Sequence, residues 1–417
     1  MRRCPSPRRG ALALRATLAA LALAAVSGCV SLPPAPPPPR LPASLEGDSR
    51  ARANEAVYLE AWSLVREHYF DAAVLGDSWT AARDRHFPQA VLAPDERHLY
   101  AAINALLSEL HDSHTAASAP WEAREFREER RARVGFLLVK IEGKWVVREV
   151  IAGSPADKAG VKPGWIFLAE DGVRADGPIT FERTVGQRVS EDFLDGEDKP
   201  RTLQMIAVML PLIPGPEERV LEGGVVYLRF DDFEASTRRW LSERLKAHRD
   251  APACIVDLRQ NLGGQVFSLD ITLGEFFDHR VEVGVFTHRN GWKESDHSLP
   301  LFSAHYPGPL VVLVGTLSAS SAEIFSRVLQ ASGRAVVIGR KTAGAVRGSY
   351  TYDLRDGGAL QVSVLDYRAP DGKPLEGVGV TPDIVVPLSI ADLRAGTDPD
   401  LTAALLRLKS SGAASTQ

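Results

Sequence analysis

The period of the apolar positions changes along the chain, and each change predicts a different kind of element. From about Ala51 to Glu128, Tyr58, Trp62 and Val65 recur at three- and four-residue steps, as do Leu99, Ile103, Leu106, Leu107 and Leu110, which predicts amphipathic helices. From about Val134 to Ile206 the pattern alternates, as in half-buried strands. From about Val220 to Pro387 short apolar runs (Val225 to Leu228, Ala253 to Val256, Leu310 to Val314) are separated by helical spacing near Arg238 to His248. Strand, helix and strand at this spacing predict a mainly parallel sheet covered by helices, an α/β core, with Cys254 inert in a buried strand.

Ahead of these segments, Arg2, Arg3, Arg8, Arg9 and Arg15 precede an apolar run from Ala16 to Val26, the charged-then-apolar order of an export signal and too short to span a membrane. The run ends in Val26-Ser27-Gly28-Cys29, which resembles a bacterial lipobox and implies lipidation at Cys29. The prolines that follow, Pro33 to Pro39, favour an extended, stiff spacer.

Composition narrows the classes. A chain of 417 residues with 45% hydrophobic and 24% charged residues is globular and has the length of two or three domains. Its net charge of -4 leaves no excess of cations for a nucleic acid. Removing residues 1–28 takes away five arginines and no acid, so the charge moves to -9 and any membrane attachment must come from lipid. Cys4 and Cys29 lie in the segment read as processed, so no structural disulfide is expected.

Candidate chemistry sits in two turns after predicted strands, where open α/β sheets place their sites. Asp257 to Gly264 ends in paired glycines that can bring a backbone N–H close to a substrate carbonyl. Gly315 to Phe325 carries Ser318, Ser320 and Ser321 at a strand-to-helix turn, a place for a nucleophile, although Ser320-Ser321-Ala322-Glu323 equally reads as a capping box. His111 and His114 lack a third ligand and the glutamate of a metalloprotease motif, so no metal is expected.

Two resemblances give these pieces an order. Val134-Gly135-Phe136-Leu137-Leu138 and Gly153 to Gly164 are similar to the PDZ domain, with Trp165 where that family has an aspartate. This implies that Gly135, Phe136, Leu137 and Leu138 take a peptide C-terminus. Asp257 to Gly264, Ser318 to Ile324, Gly339 to Gly344 and Glu376 to Asp383 together resemble the S41 peptidases, the C-terminal processing (tail-specific) proteases. That resemblance implies a crotonase-like protease core (211–392) with a helical N-terminal domain (49–128), an inserted PDZ domain (129–210), a signal (1–28), a linker (29–48) and a C-terminal helix and tail (393–417). It maps the nucleophile onto Ser320 and the oxyanion hole onto the Gly263 and Gly264 backbone and the Ser321 N–H. The lysine base of the processing proteases falls on Ala345, and Lys341 precedes Thr342. The tricorn-like branch uses a histidine instead, which maps the base onto His114, with Ser113 and Glu376 supporting it. The implied protein is an envelope serine endopeptidase without cofactor that acts on proteins or peptides, with outer-membrane sorting favoured over inner. The alternative is an inactive or weak module that binds peptide termini.

Overall fold

The computed structural model describes residue 32 and residues 34–176, 183–212, 214–300 and 305–412, so the signal run and Cys29 lie outside the described residues. Among the described residues no helix is long and apolar enough to cross a membrane.

The helical pattern resolves into Ser49–His68, Asp77–Val91 and Glu96–Leu107. Asp48 and Asp95 cap the first and third by accepting backbone N–H bonds in their first turns. Tyr58, Val65, Ile103 and Leu106 form the buried stripe, while Leu110 lies beyond the α-helix in a 3₁₀ turn that His111 ends at a φ of 50°. The proline-rich segment does not stand off as a free spacer. Arg83 donates to the carbonyls of Pro36 and Pro37, and Leu41 and Leu45 pack on the helical core.

A six-stranded sheet forms the centre. Its order is Glu217–Val220, Val226–Arg229, Cys254–Asp257, Leu310–Val314, Val336–Gly339 and Ile384–Val385, parallel except for the first pair. Both faces are covered, which is why Leu310–Val314 is apolar at every position and wholly buried. Ala235–Ala247, Val266–Gly274 and Ser321–Ala331 line one face and Pro399–Ser410 the other. Cys254 is buried, and desolvation pushes its thiol up to about 12, as expected of an inert core residue.

A second, antiparallel sheet joins this core to the helical layer. Ala116–Ser118 pairs with Ala359–Arg368, and Leu354, Leu360 and Val362 share one core with the helices. The alternating middle segment forms its own antiparallel sheet, Phe136–Ile141, Lys144–Val150, Ile166–Glu170, Arg188–Leu194 and Pro200–Ile206, with a short helix at Pro155–Lys158. One face closes on Val147, Phe167, Val189 and Phe193, and the other packs under Ile390, which follows the core sheet.

Candidate active site

Four turns from the central sheet interlock through buried hydrogen bonds. In the turn after Leu310–Val314, the fully buried Ser318 donates its hydroxyl to the Leu258 carbonyl at 2.7 Å and accepts the Gly315 N–H at 2.9 Å. Ser321 donates its hydroxyl to the Gly264 carbonyl at 2.9 Å. Ser320 lies between them at φ 54°, a conformation that costs a non-glycine residue about 1–3 kcal/mol and exposes a side chain at a strand-to-helix turn. Its N–H donates to the Ala345 carbonyl at 2.6 Å and, more weakly, to Glu323 Oε2 at 3.3 Å. Of the three serines, Ser320 alone has a hydroxyl with no hydrogen-bond partner among the described residues.

That geometry separates the two readings of Ser320 and Glu323. The glutamate half of a capping box forms, but the Glu323 N–H goes to the Ser320 carbonyl at 2.8 Å and not to its hydroxyl. Glu323 is fully buried and also accepts from Thr342 Oγ1, the Gly344 N–H and the Ala345 N–H, the last two at 2.7 Å. Burial raises its pKa, and these four donors act in the opposite direction. Glu323 therefore ties the Ser320 turn to the Thr342–Ala345 turn, a role that a capping motif does not reveal.

Gly263 has a φ of 101°, and a Cβ there would come within 2.5 Å of Ser320 Cβ, so only glycine lets the 261–264 backbone lie against Ser320. The family resemblance implies that its N–H belongs to the oxyanion hole, but in this structure that N–H donates to Asn261 Oδ1 at 2.9 Å. Asn261 is itself fully buried, with its amide on the Phe230 carbonyl at 3.0 Å. A buried asparagine needs partners for both ends of its amide, and the adjacent Gly263 N–H supplies one. The N–H groups of Gly264 and Ser321 have no acceptor among the described residues and can serve as donors to a developing oxyanion.

His114 arrives from the helical layer. Its loop is fastened to strand Ala359–Arg368 by Ser363, whose hydroxyl donates to Asp112 Oδ1 at 2.8 Å and whose N–H donates to Thr115 Oγ1 at 3.1 Å. Asp112 Oδ1 also accepts the His114 N–H at 2.7 Å. His114 Nδ1 lies 2.7 Å from Ser113 Oγ; with Nδ1–H donating there, Nε2 keeps the lone pair that a base requires. Burial pulls the imidazole pKa below its ordinary value, against the opposing charges of Glu376 and Asp112. Glu376 Oε2 accepts the Val346 N–H at 2.9 Å, one residue past the Ala345 carbonyl that holds Ser320. Arg347 stands over the Phe70 ring at 4.2 Å, with Nε 3.6 Å from Glu376 and 3.9 Å from Asp112.

The sequence-assigned residues thus fall into two touching groups. Ser320, Ser321, Gly263 and Gly264 form one; Ser113, His114 and Glu376 form the other, bridged by Ala345 and Val346. No hydrogen bond joins Ser320 Oγ to His114. Lys341 is exposed and makes no bond among the described residues, whereas Ala345 touches Ser320 directly. Asn261, Arg347 and Ser363 carry weight that the sequence did not assign. Asn261 was flagged only as part of the glycine turn, and nothing in the sequence marks Ser363.

Residues 224–386 match the model of peptidase family S41. Over that stretch the chain is similar to the S41 peptidases. A carboxyl-terminal-processing protease of Picosynechococcus sp. is 27% identical over 368 residues, 83% of this chain and 87% of the relative. Among solved structures, a photosystem II D1 C-terminal processing protease superposes with a TM-score of 0.59 at 22% identity, covering 80% of this chain and 93% of its own. The tricorn protease superposes with a TM-score of 0.52 at 19% identity, over 86% of this chain and 36% of its own. Both likenesses are of fold. The match and the relatives together support a serine-type peptidase with a mixed α/β protease fold.

Proposed function

We propose that this S41 peptidase is a cell-envelope endopeptidase that cleaves proteins or peptides through an acyl-enzyme on Ser320. The observation that carries this reading is the uncommitted, positive-φ Ser320 between two serines whose hydroxyls are both spent on structure. His114 Nε2 takes the Ser320 proton as Oγ attacks the carbonyl and returns it to the leaving amine. The N–H groups of Gly264 and Ser321 hold the oxyanion, Ser113 orients the imidazole, and Glu376 stabilises its charged form. An approach of the His114 loop to Ser320 completes the pair, since catalytic hydrogen bonds are often long before substrate binds. The core is read as crotonase-like and the middle sheet as PDZ-like. Gly135, at a φ of 100°, turns the chain into the Phe136–Ile141 edge strand, which has a single partner among the described strands and suits a peptide terminus. Cys29 carries the lipid anchor, at the outer membrane by preference.

A serine-reactive fluorophosphonate tests the central claim. Labelling at Ser320 that is lost in Ser320→Ala supports it; a folded protein that does not label while binding peptide termini would instead be the inactive binding module, a reading favoured by Ala345 in place of a lysine. Cys29→Ala should release the protein from washed membranes, and unchanged recovery would remove the anchor from the proposal.

A further inference from the structure

A cavity of about 220 Å³ lies away from Ser320, between the Lys144–Val150 strand of the middle sheet, the ends of strands Val226–Arg229 and Cys254–Asp257, and the segment from Leu388 to Pro399. Five arginines line it, and four of them are spent. Arg259 is held by Asp257, Asp398 and Asp400, and Arg340 by Asp400. Arg229 is held by Asp231 and Glu149, and Arg219 by Glu217 and the face of Tyr227. The fifth, Arg148, has no hydrogen bond or ion pair among the described residues. Burial, followed by the like charges of Arg259 and Arg340, disfavours its charged form, against the opposing charges of Asp257 and Glu149. Its guanidinium therefore has five donors to offer to the cavity and no side-chain acceptor among the described residues for any of them.

We propose that this cavity binds a small carboxylate, whose two oxygens fork onto the Arg148 guanidinium. Planar guanidinium and planar carboxylate match in a bidentate pair. Arg148 is the one lining arginine without a hydrogen-bonded carboxylate, so a single monoanionic group suits it, and a dianion would face Asp257, Glu149 and Asp398 on the same walls. The volume is below the range of drug-sized pockets, which restricts the occupant to a small acid or the last residues of a peptide. The cavity walls do not include Gly135 to Leu138, so this site is separate from the peptide edge proposed above. Because its walls come from the middle sheet, the central sheet and the C-terminal segment, an occupant stabilises the docking of all three.

The test is the thermal unfolding midpoint of the mature protein as sodium acetate replaces sodium chloride at constant ionic strength. The midpoint should rise and saturate, as for a ligand that binds only the folded state. In Arg148→Gln the rise should vanish; Arg148→Met, which keeps the apolar stem, repeats the measurement if the glutamine variant fails to fold. Trialanine and its amide form a second arm, each measured in both backgrounds. Acid but not amide acting at lower concentration than acetate, in an Arg148-dependent way, assigns the site to peptide termini; equal potency of acetate assigns it to free small acids. An acetate response that survives the loss of Arg148, no saturable response to any carboxylate, or tighter binding of inorganic phosphate than of acetate would overturn the proposal.

Discussion

The two halves of the candidate site are built differently. The Ser320 half is assembled within the central sheet: its turn lies at the end of Leu310–Val314, and Glu323, three residues on, gathers four donors that fix the turn and its neighbour. The His114 half lies some two hundred residues earlier on a loop that ends a helix, and it reaches the core through Asp112, Thr115, Ser363 and Arg347. The first half is as rigid as the core and can hold backbone strain, whereas the second is only as well placed as the docking of the helical layer. In the proposed mechanism the base would be placed by tertiary packing while the nucleophile stays fixed.

The widest test of that division removes each half in turn. Ser320→Ala and His114→Ala should each lower turnover of a peptide substrate by about 10³-fold or more, and the double variant should be little worse, because a nucleophile and its base act as one unit. Additive losses in the double variant would show that the two do not work on the same proton.

The next contrast concerns the supports. Glu323→Ala leaves the Gly344 and Ala345 N–H groups buried without an acceptor, at about 1–3 kcal/mol for such a loss, so it should lower the denaturation midpoint and activity together. Ser363→Ala removes one hydroxyl from Asp112 while the Ser363 N–H to Thr115 remains, at about 1 kcal/mol. It should slow turnover several-fold with a near-native midpoint, and an unfolding defect as large as that of Glu323→Ala would show that the base loop is part of the rigid core.

Sequence made the nucleophile half readable because its determinants are local. Paired glycines after a strand, a serine at a strand-to-helix turn and a glutamate one helical turn later each impose a backbone shape, and Ser320, Gly263 and Gly264 all take positive φ in those turns. The role of Glu323 was hidden because a capping box and a cross-turn anchor share one pattern. Asn261 took the Gly263 N–H for a reason that local sequence cannot express: its amide is buried and needs a donor. In the base half, His114 was found through its family resemblance, while Ser363 stayed invisible because its contact with Asp112 spans 251 positions. The proline-rich stretch was read as a stiff spacer from composition, which says nothing of the Arg83 guanidinium that binds its carbonyls.

A pH profile sharpens the electrostatics of the base half. Burial lowers the His114 pKa, so the neutral imidazole persists below pH 6.5, and kcat/KM should hold through neutral pH and fall only as the pH drops through that depressed value. Glu376 is the strongest opposing influence, since its charge favours the imidazolium. Glu376→Gln should therefore move the acid limb to lower pH while reducing the plateau. A limb that moves upward instead would mean that Glu376 does not act on His114 through its charge.

The smallest expected effect is at Lys341. If the base came from the Thr342 turn, as in the lysine-dependent proteases, the two halves would collapse into one, and the helical layer would have no part in proton transfer. Lys341 is exposed and unbonded, and the turn that would have to rearrange to bring it inward is pinned by Glu323 through Thr342, Gly344 and Ala345. A side chain must come within hydrogen-bond reach of Ser320 to take its proton, and breaking those buried bonds to do so would cost several kcal/mol at about 1–3 kcal/mol each. Lys341→Ala should accordingly leave both kcat and the denaturation midpoint within about twofold and 0.5 kcal/mol of the parent, as for other surface substitutions. A Lys341→Ala enzyme that is inactive yet normally folded, beside an active His114→Ala, would move the base into the core and undo the distinction between the halves.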